Sequence, residues 1–212
     1  MDDAWWLQHI FGQSLAAQTN LDSARLAAEV SPRDSLMLMT RVFSNCGSLL
    51  TPFTDQQVAE GLAFLAAAGE SDWMYRIYDP SIDRWARVEC IRSIEGVYRD
   101  CFARRCRNAA THLSSDITSI NSVCYMWWDR FPSGGADDGR SDVDGELIEV
   151  MGRALEIEHV TCQESALHGL GHWEVTSEDR VHAIVDEWLV RHPQLPSALR
   201  AYAEAARNGN VQ

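Results

Sequence analysis

Helix-start signals followed by apolar residues at helical spacing recur along this chain and constrain its fold more than any other feature. The segment TDQQ at 54–57 has the form of a capping box, and Val58, Leu62 and Leu65 follow it at intervals of four and three residues. The segment SPRD at 31–34 offers a second N-cap, with a proline in the first turn. No run of alternating apolar and polar residues bounded by a hairpin turn indicates a strand. The sequence therefore predicts an all-α fold.

The chain is predicted to form a single helical domain of 212 residues, a length that suits one hydrophobic core. Residues 1–131 carry helical patterns of uneven length, so an irregular set of helices is expected there. Residues 132–145 are rich in Gly, Ser and Asp and predict an acidic loop. After this loop, residues 146–207 predict repeat-like helical hairpins.

The hairpin prediction depends on four amphipathic segments, which are 147–155, 161–173, 181–189 and 195–209. The tripeptide Ser-Ala-Leu occurs in the second and in the fourth segment, 32 residues apart. Such a pattern favours stacked helical hairpins, arranged as an α-α superhelix or as an irregular helical bundle. On this pattern, residues 144–207 resemble HEAT-type or related helical repeats, in which paired helices stack and one helix of each pair lines a concave surface. The resemblance implies an architecture and a binding surface, and it implies no reaction.

Composition argues against two kinds of partner. A net charge of −13 disfavours a general affinity for nucleic acid, which requires many cationic contacts to phosphate. The longest aliphatic or Met run, LMLM at 36–39, is too short to cross a bilayer, so no membrane is expected. The acidic start MDDAWW lacks the basic region of a secretory signal, and the six scattered cysteines are expected to be free thiols. A cytoplasmic protein is therefore expected, and its acidity suits a basic partner.

Two histidines stand out in the segment TCQESALHGLGHW at 161–173. His168 and His172 share one side of a helix, and Glu164 lies on the same side, opposite the main apolar residues of the segment. In the context TCQE, however, Glu164 is predicted to complete a capping box and to return its carboxylate to the N-cap amide. Two glycines, Gly169 and Gly171, are costly inside a helix and indicate that another part of the chain, or a ligand, approaches closely there.

The spacing of the histidines also permits a metal site. Two histidines four residues apart on a helix can occupy adjacent positions around a zinc ion. The metalloprotease helix carries a general-base Glu directly after its first His, whereas Gly169 follows His168 here. The spacing does not place a third ligand, although His159 and Cys162 lie nearby in the sequence.

The most aromatic segment supplies two more candidate binding residues. Tyr125 and Trp128 lie on one side of a predicted helix, and a separate apolar stripe lies on another side. A helix that is apolar on two sides is typical of a buried central helix, so burial of Trp128 is expected. If exposed, Trp128 would be a rigid aromatic anchor of the kind that dominates protein interfaces.

The first function hypothesis is that this protein binds another protein. A partner would dock on the face that carries His168 and His172, with Trp128 and Tyr125 as further candidate binding residues. A regulatory module, such as an inhibitor or immunity-type protein for a basic toxin, fits the small size and the acidity. No catalytic residue and no cofactor is assigned under this hypothesis, which favours a binding protein over an enzyme.

Two alternatives remain open. One is a metal-dependent hydrolase that uses His168 and His172 as ligands and a water-derived nucleophile. The other is a structural subunit of a homo-oligomer, which would need exposed apolar surface such as Trp5 and Trp6. The sequence specifies neither the partner nor the oligomeric state.

Overall fold

A computed structural model describes residues 3–12, 30–67, 71, 73–131 and 142–211, and most of these residues are helical while none is in a strand. The all-α prediction is therefore confirmed. The longer helices are α1 (Asp3–Phe11), α2 (Pro32–Leu49), α3 (Asp55–Ala66), α4 (Arg84–Gly96), α5 (Ser119–Tyr125), α6 (Asp144–Leu155), α7 (Val160–Arg191) and α8 (Ser197–Arg207). Shorter segments are the 3-10 turns Met74–Tyr78 and Trp128–Arg130, the π-helical turn Val97–Phe102 that continues α4, and the α-helical turn Ala103–Arg105. Most of the predicted acidic loop, 132–141, lies outside the described residues.

Two helices begin where the sequence predicts. The Ser31 hydroxyl accepts a hydrogen bond from the Asp34 amide at 3.1 Å and so caps α2. At the start of α3, the Gln57 amide donates to the Thr54 hydroxyl and the Thr54 amide donates to the Gln57 side chain, at 3.3 and 3.0 Å. The predicted capping box is therefore present, and local side chains satisfy amides that no helical carbonyl can reach.

The second and third predicted helices of the last part of the chain both lie along α7, which is 32 residues long. The backbone angles of Ser177 are not helical, so a kink separates the two stretches within the predicted junction EVTSEDR at 174–180. Helices α6 and α8 both pack on α7. The stacking of these helices as repeats stays a prediction.

The first half of α7 is the centre of the molecule. Every residue from 161 to 171 is buried, including the charged or polar residues Glu164, 0% exposed, and His168, 1% exposed. The expectation that these two residues lie on a less buried side of the helix is wrong, because α5, α6 and α8 enclose the helix from several directions. The predicted burial of Trp128 is confirmed, at 6% exposed.

Other elements hold this arrangement together from the side of α4. Arg87 on α4 is buried and forms a two-pronged ion pair with Asp142, just before α6, with both nitrogen–oxygen distances 2.8 Å.

All six cysteines are buried free thiols, as expected. Trp6 is buried whereas Trp5 is 48% exposed, so only one of the two supplies exposed apolar surface. No helix among the described residues is long and apolar enough to span a membrane.

Candidate metal centre

A glycine on α7 brings a carboxylate to the two histidines. The indole of Trp128 packs directly on Gly169, where a Cβ atom would lie only 2.5 Å from the Trp128 Cδ1 atom. Because Asp129 follows Trp128 in the chain, this contact carries its carboxylate to the side of α7 that holds His168 and His172. The close approach expected at Gly169 is therefore real, and the packing partner is a side chain of the same chain.

Three polar atoms meet at this point, and we call Asp129, His168 and His172 the Asp129 cluster. The Asp129 Oδ1 atom lies 3.0 Å from the Nε2 atom of His168 and 3.1 Å from that of His172. The two Nε2 atoms are 3.1 Å apart. The three atoms therefore form a nearly equilateral triangle. Each ring nitrogen carries either one hydrogen or one lone pair, and the carboxylate oxygen carries lone pairs only.

Hydrogen atoms cannot satisfy all three sides of this triangle. If both ring nitrogens donate to the carboxylate, two N–H groups face each other across the remaining side. If His172 donates to His168 instead, the unprotonated His168 nitrogen turns its lone pair toward the Asp129 carboxylate, which is also an acceptor. With the Asp129 carboxyl ionised, at least one contact in every assignment joins two groups of the same polarity.

The Asp129 cluster has a closed side and an open side. His168 is 1% exposed at its side chain, Asp129 24% and His172 48%, so solvent reaches the cluster from the side of His172. Burial raises the pKa of Asp129, but the hydrogen bond from His168 and the nearby His168 and His172 lower it further, so the net shift is downward. The carboxylate is thus kept ionised beside two potential ligands.

A second set of hydrogen bonds holds the His168 ring at its other nitrogen, Nδ1. Its Nδ1 atom lies 2.7 Å from the hydroxyl of Tyr202 on α8, and that hydroxyl lies 3.0 Å from the hydroxyl of Tyr125 on α5. The Tyr125 ring also packs against the His168 ring, with 4.7 Å between centroids. Both nitrogens of His168 therefore have polar partners, one set in the Asp129 cluster and one in this pair of tyrosines.

Glu164, which the sequence places on the same side of the helix as His168 and His172, belongs to a separate group. The Glu164 carboxylate accepts hydrogen bonds from the amides of Thr111 and His112 at 2.6 and 3.2 Å, and a short one from the His112 ring. We call Glu164, Thr111 and His112 the Glu164 cluster. The His112 ring in turn stacks on Tyr202, with centroids 4.7 Å apart.

The capping box predicted at TCQE is therefore wrong. The helix begins earlier than predicted, with His159 as its N-cap residue, so Thr161 lies inside it. The Thr161 hydroxyl contacts the carbonyls of Arg107 and Ala109, both at 2.7 Å, and Asn108 accepts the hydrogen bond of the Val160 amide at 2.6 Å. A distant segment thus supplies the cap that the local sequence was expected to supply.

The four predicted site residues have different positions. His168 and His172 meet as their spacing predicts, and Tyr125 contacts His168 from α5. Trp128 is buried against Gly169 and is not available as an interface anchor. Sequence reasoning missed Asp129 and Tyr202, which are 39 and 34 residues from His168 and come from other elements. No local spacing signals either contact.

A second group of potential ligands lies further along α7. Glu174, Glu178 and His182 follow one another at intervals of four residues and bring one side-chain atom each within 4.8 Å of the others. The His182 ring lies 3.4 Å from the Glu174 carboxylate. This group comes from a single helix, whereas the Asp129 cluster joins two elements.

Known proteins give no guide to this site, since no family model, no curated protein and no solved structure matches the chain.

Proposed function

We propose that this protein binds a divalent transition-metal ion through Asp129, His168 and His172 and uses it as a metal-dependent hydrolase. The observation that carries the proposal is the triangle of donor atoms with sides of 3.0–3.1 Å, which hydrogens cannot satisfy. A cation in contact with all three atoms removes the conflict, because each lone pair then faces positive charge.

The separations also suit a shared ion. Nitrogen and oxygen ligands lie about 2.1 Å from zinc, so two ligands of one ion are about 3.0 Å apart at a right angle and about 3.4 Å apart at the tetrahedral angle. Two imidazoles and a carboxylate favour Zn²⁺, Fe²⁺, Co²⁺ or Ni²⁺ over the all-oxygen sites typical of Mg²⁺ and Ca²⁺.

The open side of the cluster is the reason for proposing hydrolysis. Three protein ligands and a position left for water are typical of catalytic rather than structural metal sites. A metal held there would make its bound water a stronger acid and thus supply a nucleophile at neutral pH. His172, the most exposed of the three residues, lies on the side from which water and a substrate can enter.

The alternative of docking to a protein has less support at this position. Two of its four candidate residues, His168 and Trp128, are almost fully buried. His172 and the partly buried Tyr125 are the members a partner could still reach. Binding of a basic partner, a regulatory role, the HEAT-like concave surface and a cytoplasmic location stay predictions.

Native mass spectrometry and elemental analysis of the protein purified without chelators test the proposal. We expect one metal ion per chain, with loss of the ion in Asp129→Ala and in His172→Ala. The matched control is His182→Ala, which removes a histidine of the same helix from the second group of potential ligands and should leave the metal in place.

Zinc titration by calorimetry covers the case in which the ion is lost during purification. Chelator-treated wild-type protein should then bind one Zn²⁺, and Asp129→Ala should bind it at least about 10-fold more weakly. A wild-type chain that binds none of Zn²⁺, Co²⁺ and Fe²⁺ would overturn the proposal. Loss of metal in His182→Ala alone would move the site to Glu174, Glu178 and His182.

A further inference from the structure

The hydrogen bond between His168 and Tyr202 bears on how the metal would be held. A neutral imidazole has one N–H group and one nitrogen with a free lone pair. The Nε2 atom of His168 faces Asp129 and His172, and its Nδ1 atom faces the Tyr202 hydroxyl at 2.7 Å. Only one of the two nitrogens can donate in the neutral ring, so the two contacts are linked.

Metal binding decides which nitrogen carries the hydrogen. A histidine that binds a metal through Nε2 must carry its hydrogen on Nδ1, and that N–H group needs an acceptor. The Tyr202 oxygen is the acceptor in place, and the Tyr202 hydroxyl can then donate to Tyr125 at 3.0 Å. In the metal-free protein, a hydrogen on Nε2 would instead donate to Asp129, and the Tyr202 hydroxyl would donate to Nδ1.

We infer that Tyr202 is a positioning residue for the proposed metal site, and that metal binding reverses the direction of the hydrogen bonds along His168, Tyr202 and Tyr125. The inference rests on the proposed function, because it requires a metal at His168 Nε2. Tyr202 does not touch the metal; it holds the His168 ring in orientation and accepts the hydrogen bond from Nδ1–H. In the exchange, Nε2 releases its hydrogen to water and Nδ1 takes one up from water, while the Tyr202 hydroxyl keeps its own hydrogen and turns toward Tyr125.

The surroundings of Tyr202 are built to keep it in place. The residue is 9% exposed, and its ring stacks on His112, which hydrogen-bonds through its ring and its amide to the fully buried Glu164. The Glu164 carboxylate is fixed in turn by the Thr111 amide at 2.6 Å. The Glu164 cluster therefore supports the Asp129 cluster through Tyr202, since it fixes the ring that contacts His168.

The first test measures metal affinity in Tyr202→Phe, which keeps the ring and its stacking on His112 but removes the hydroxyl. We expect the Kd for Zn²⁺ to rise about 10- to 100-fold, the usual effect of losing the partner of a ligating histidine. Tyr125→Phe should raise it less, since that change is one hydrogen bond further away. The matched control is Tyr78→Phe, since the buried Tyr78 hydroxyl has no hydrogen-bond partner among the described residues.

The second test is independent of any variant and follows the ring nitrogens of His168 by ¹⁵N NMR in the wild-type chain. We expect the hydrogen on Nε2 in chelated protein and on Nδ1 after addition of Zn²⁺. Zinc affinity unchanged in folded Tyr202→Phe, or no hydrogen on Nδ1 of His168 in the zinc-bound protein, would overturn the inference. In both of these cases the wild-type chain still binds zinc, so the proposed function itself would survive. A wild-type chain that binds no metal would instead remove the basis of both.

Discussion

Two carboxylate–histidine clusters lie one helical turn apart on α7, and they differ in whether their hydrogen bonds can be satisfied. In the Glu164 cluster, three donors meet one carboxylate: the amides of Thr111 and His112 and the His112 ring. In the Asp129 cluster, no placement of the hydrogens pairs all three contacts between the two ring nitrogens and the ionised carboxylate. The polar atoms of the first cluster are paired within the protein, whereas the second leaves a contact between like groups, which the proposed metal ion would relieve.

The two clusters also differ in their access to water. The Glu164 side chain is fully buried and 0% exposed, while His172 is 48% exposed. A buried, fully paired carboxylate is explained by folding, because leaving it unpaired would be costly. An open cluster that includes a contact between like groups is not explained in this way. Burial and pairing together thus separate a structural cluster from a candidate site, although both contain an acid and a histidine.

The largest expected effect distinguishes the clusters by their contribution to folding. Glu164→Ala leaves the amides of the buried Thr111 and of His112 without an acceptor and removes the partner of the His112 ring, so we expect it to lower the free energy of unfolding by about 3–5 kcal/mol. Asp129→Ala should lower it by only about 1 kcal/mol in the presence of a chelator, since it removes one hydrogen-bond acceptor of His168 and the Nε2 atom of His172, 3.1 Å away, can take its place. Urea unfolding of both variants with EDTA measures the difference.

Equal losses in the two variants would contradict the comparison. A loss of several kcal/mol in chelated Asp129→Ala would mean that the Asp129 cluster is an ordinary structural network, and the metal proposal would lose its main support. A small loss in Glu164→Ala would mean that water replaces the carboxylate as acceptor.

A smaller effect is expected from the glycine that joins the two elements of the Asp129 cluster. Gly169→Ala places a Cβ atom 2.5 Å from the Trp128 ring and 3.0 Å from the Met151 sulfur, so the ring must shift and carry Asp129 with it. We expect a loss of about 1–3 kcal/mol in the free energy of unfolding together with weaker zinc binding. Chemical unfolding and zinc calorimetry on the same sample measure both.

A matched glycine on α6 provides the control. A Cβ atom at Gly152 would meet Ile184 at 3.4–3.8 Å, which is ordinary contact, so Gly152→Ala should be neutral or stabilise the protein by up to about 1 kcal/mol. Zinc affinity should not change in this variant. A Gly169→Ala variant with unaltered stability and affinity would show that Trp128 does not position Asp129.

Much of the fold follows from local signals in the sequence. The capping residues Ser31 and Thr54 and the apolar spacing behind them predict where α2 and α3 begin, because these interactions lie within one turn of the chain. The interval between His168 and His172 likewise predicts that the two rings meet. Such features need no knowledge of the rest of the fold.

The features that the sequence does not reveal are those that depend on packing between distant segments. Asp129 contacts His168 because Trp128 packs on Gly169. Glu164 does not cap its helix because the loop at Thr111 and His112 provides three hydrogen-bond donors to its carboxylate. The start of α7 is capped by Asn108 rather than by its own residues. In each case a contact between distant segments decides the structure, and the local sequence pattern either predicts a different interaction or predicts none.

The smallest expected effect concerns Asp142. Its carboxylate is paired, like that of Glu164, but half exposed, like His172, so its character is intermediate between the two clusters. The hydrogen bonds from Arg87 are the main cause that lowers the pKa of Asp142 below its usual value. A carboxyl whose pKa is lower in the folded state stabilises the fold above its unfolded pKa, near 3.9, and loses that contribution as pH falls through the folded pKa. Because the Asp142 side chain is 48% exposed, solvent screens the pair and we expect at most about 1 kcal/mol.

Asp142→Asn tests this expectation in unfolding experiments between neutral pH and about pH 3. The stability difference between wild type and variant should be constant near neutrality and shrink only as the pH falls below about 4. There the carboxyl of the wild-type chain begins to be protonated, so it becomes neutral like the Asn side chain of the variant. A difference that changes between pH 6 and 7 would point to histidines instead. A loss of several kcal/mol at neutral pH would mean that the buried Arg87 depends on Asp142 as strongly as the Thr111 and His112 amides depend on Glu164. Pairing rather than exposure would then set the contribution of a carboxylate to the stability of this protein.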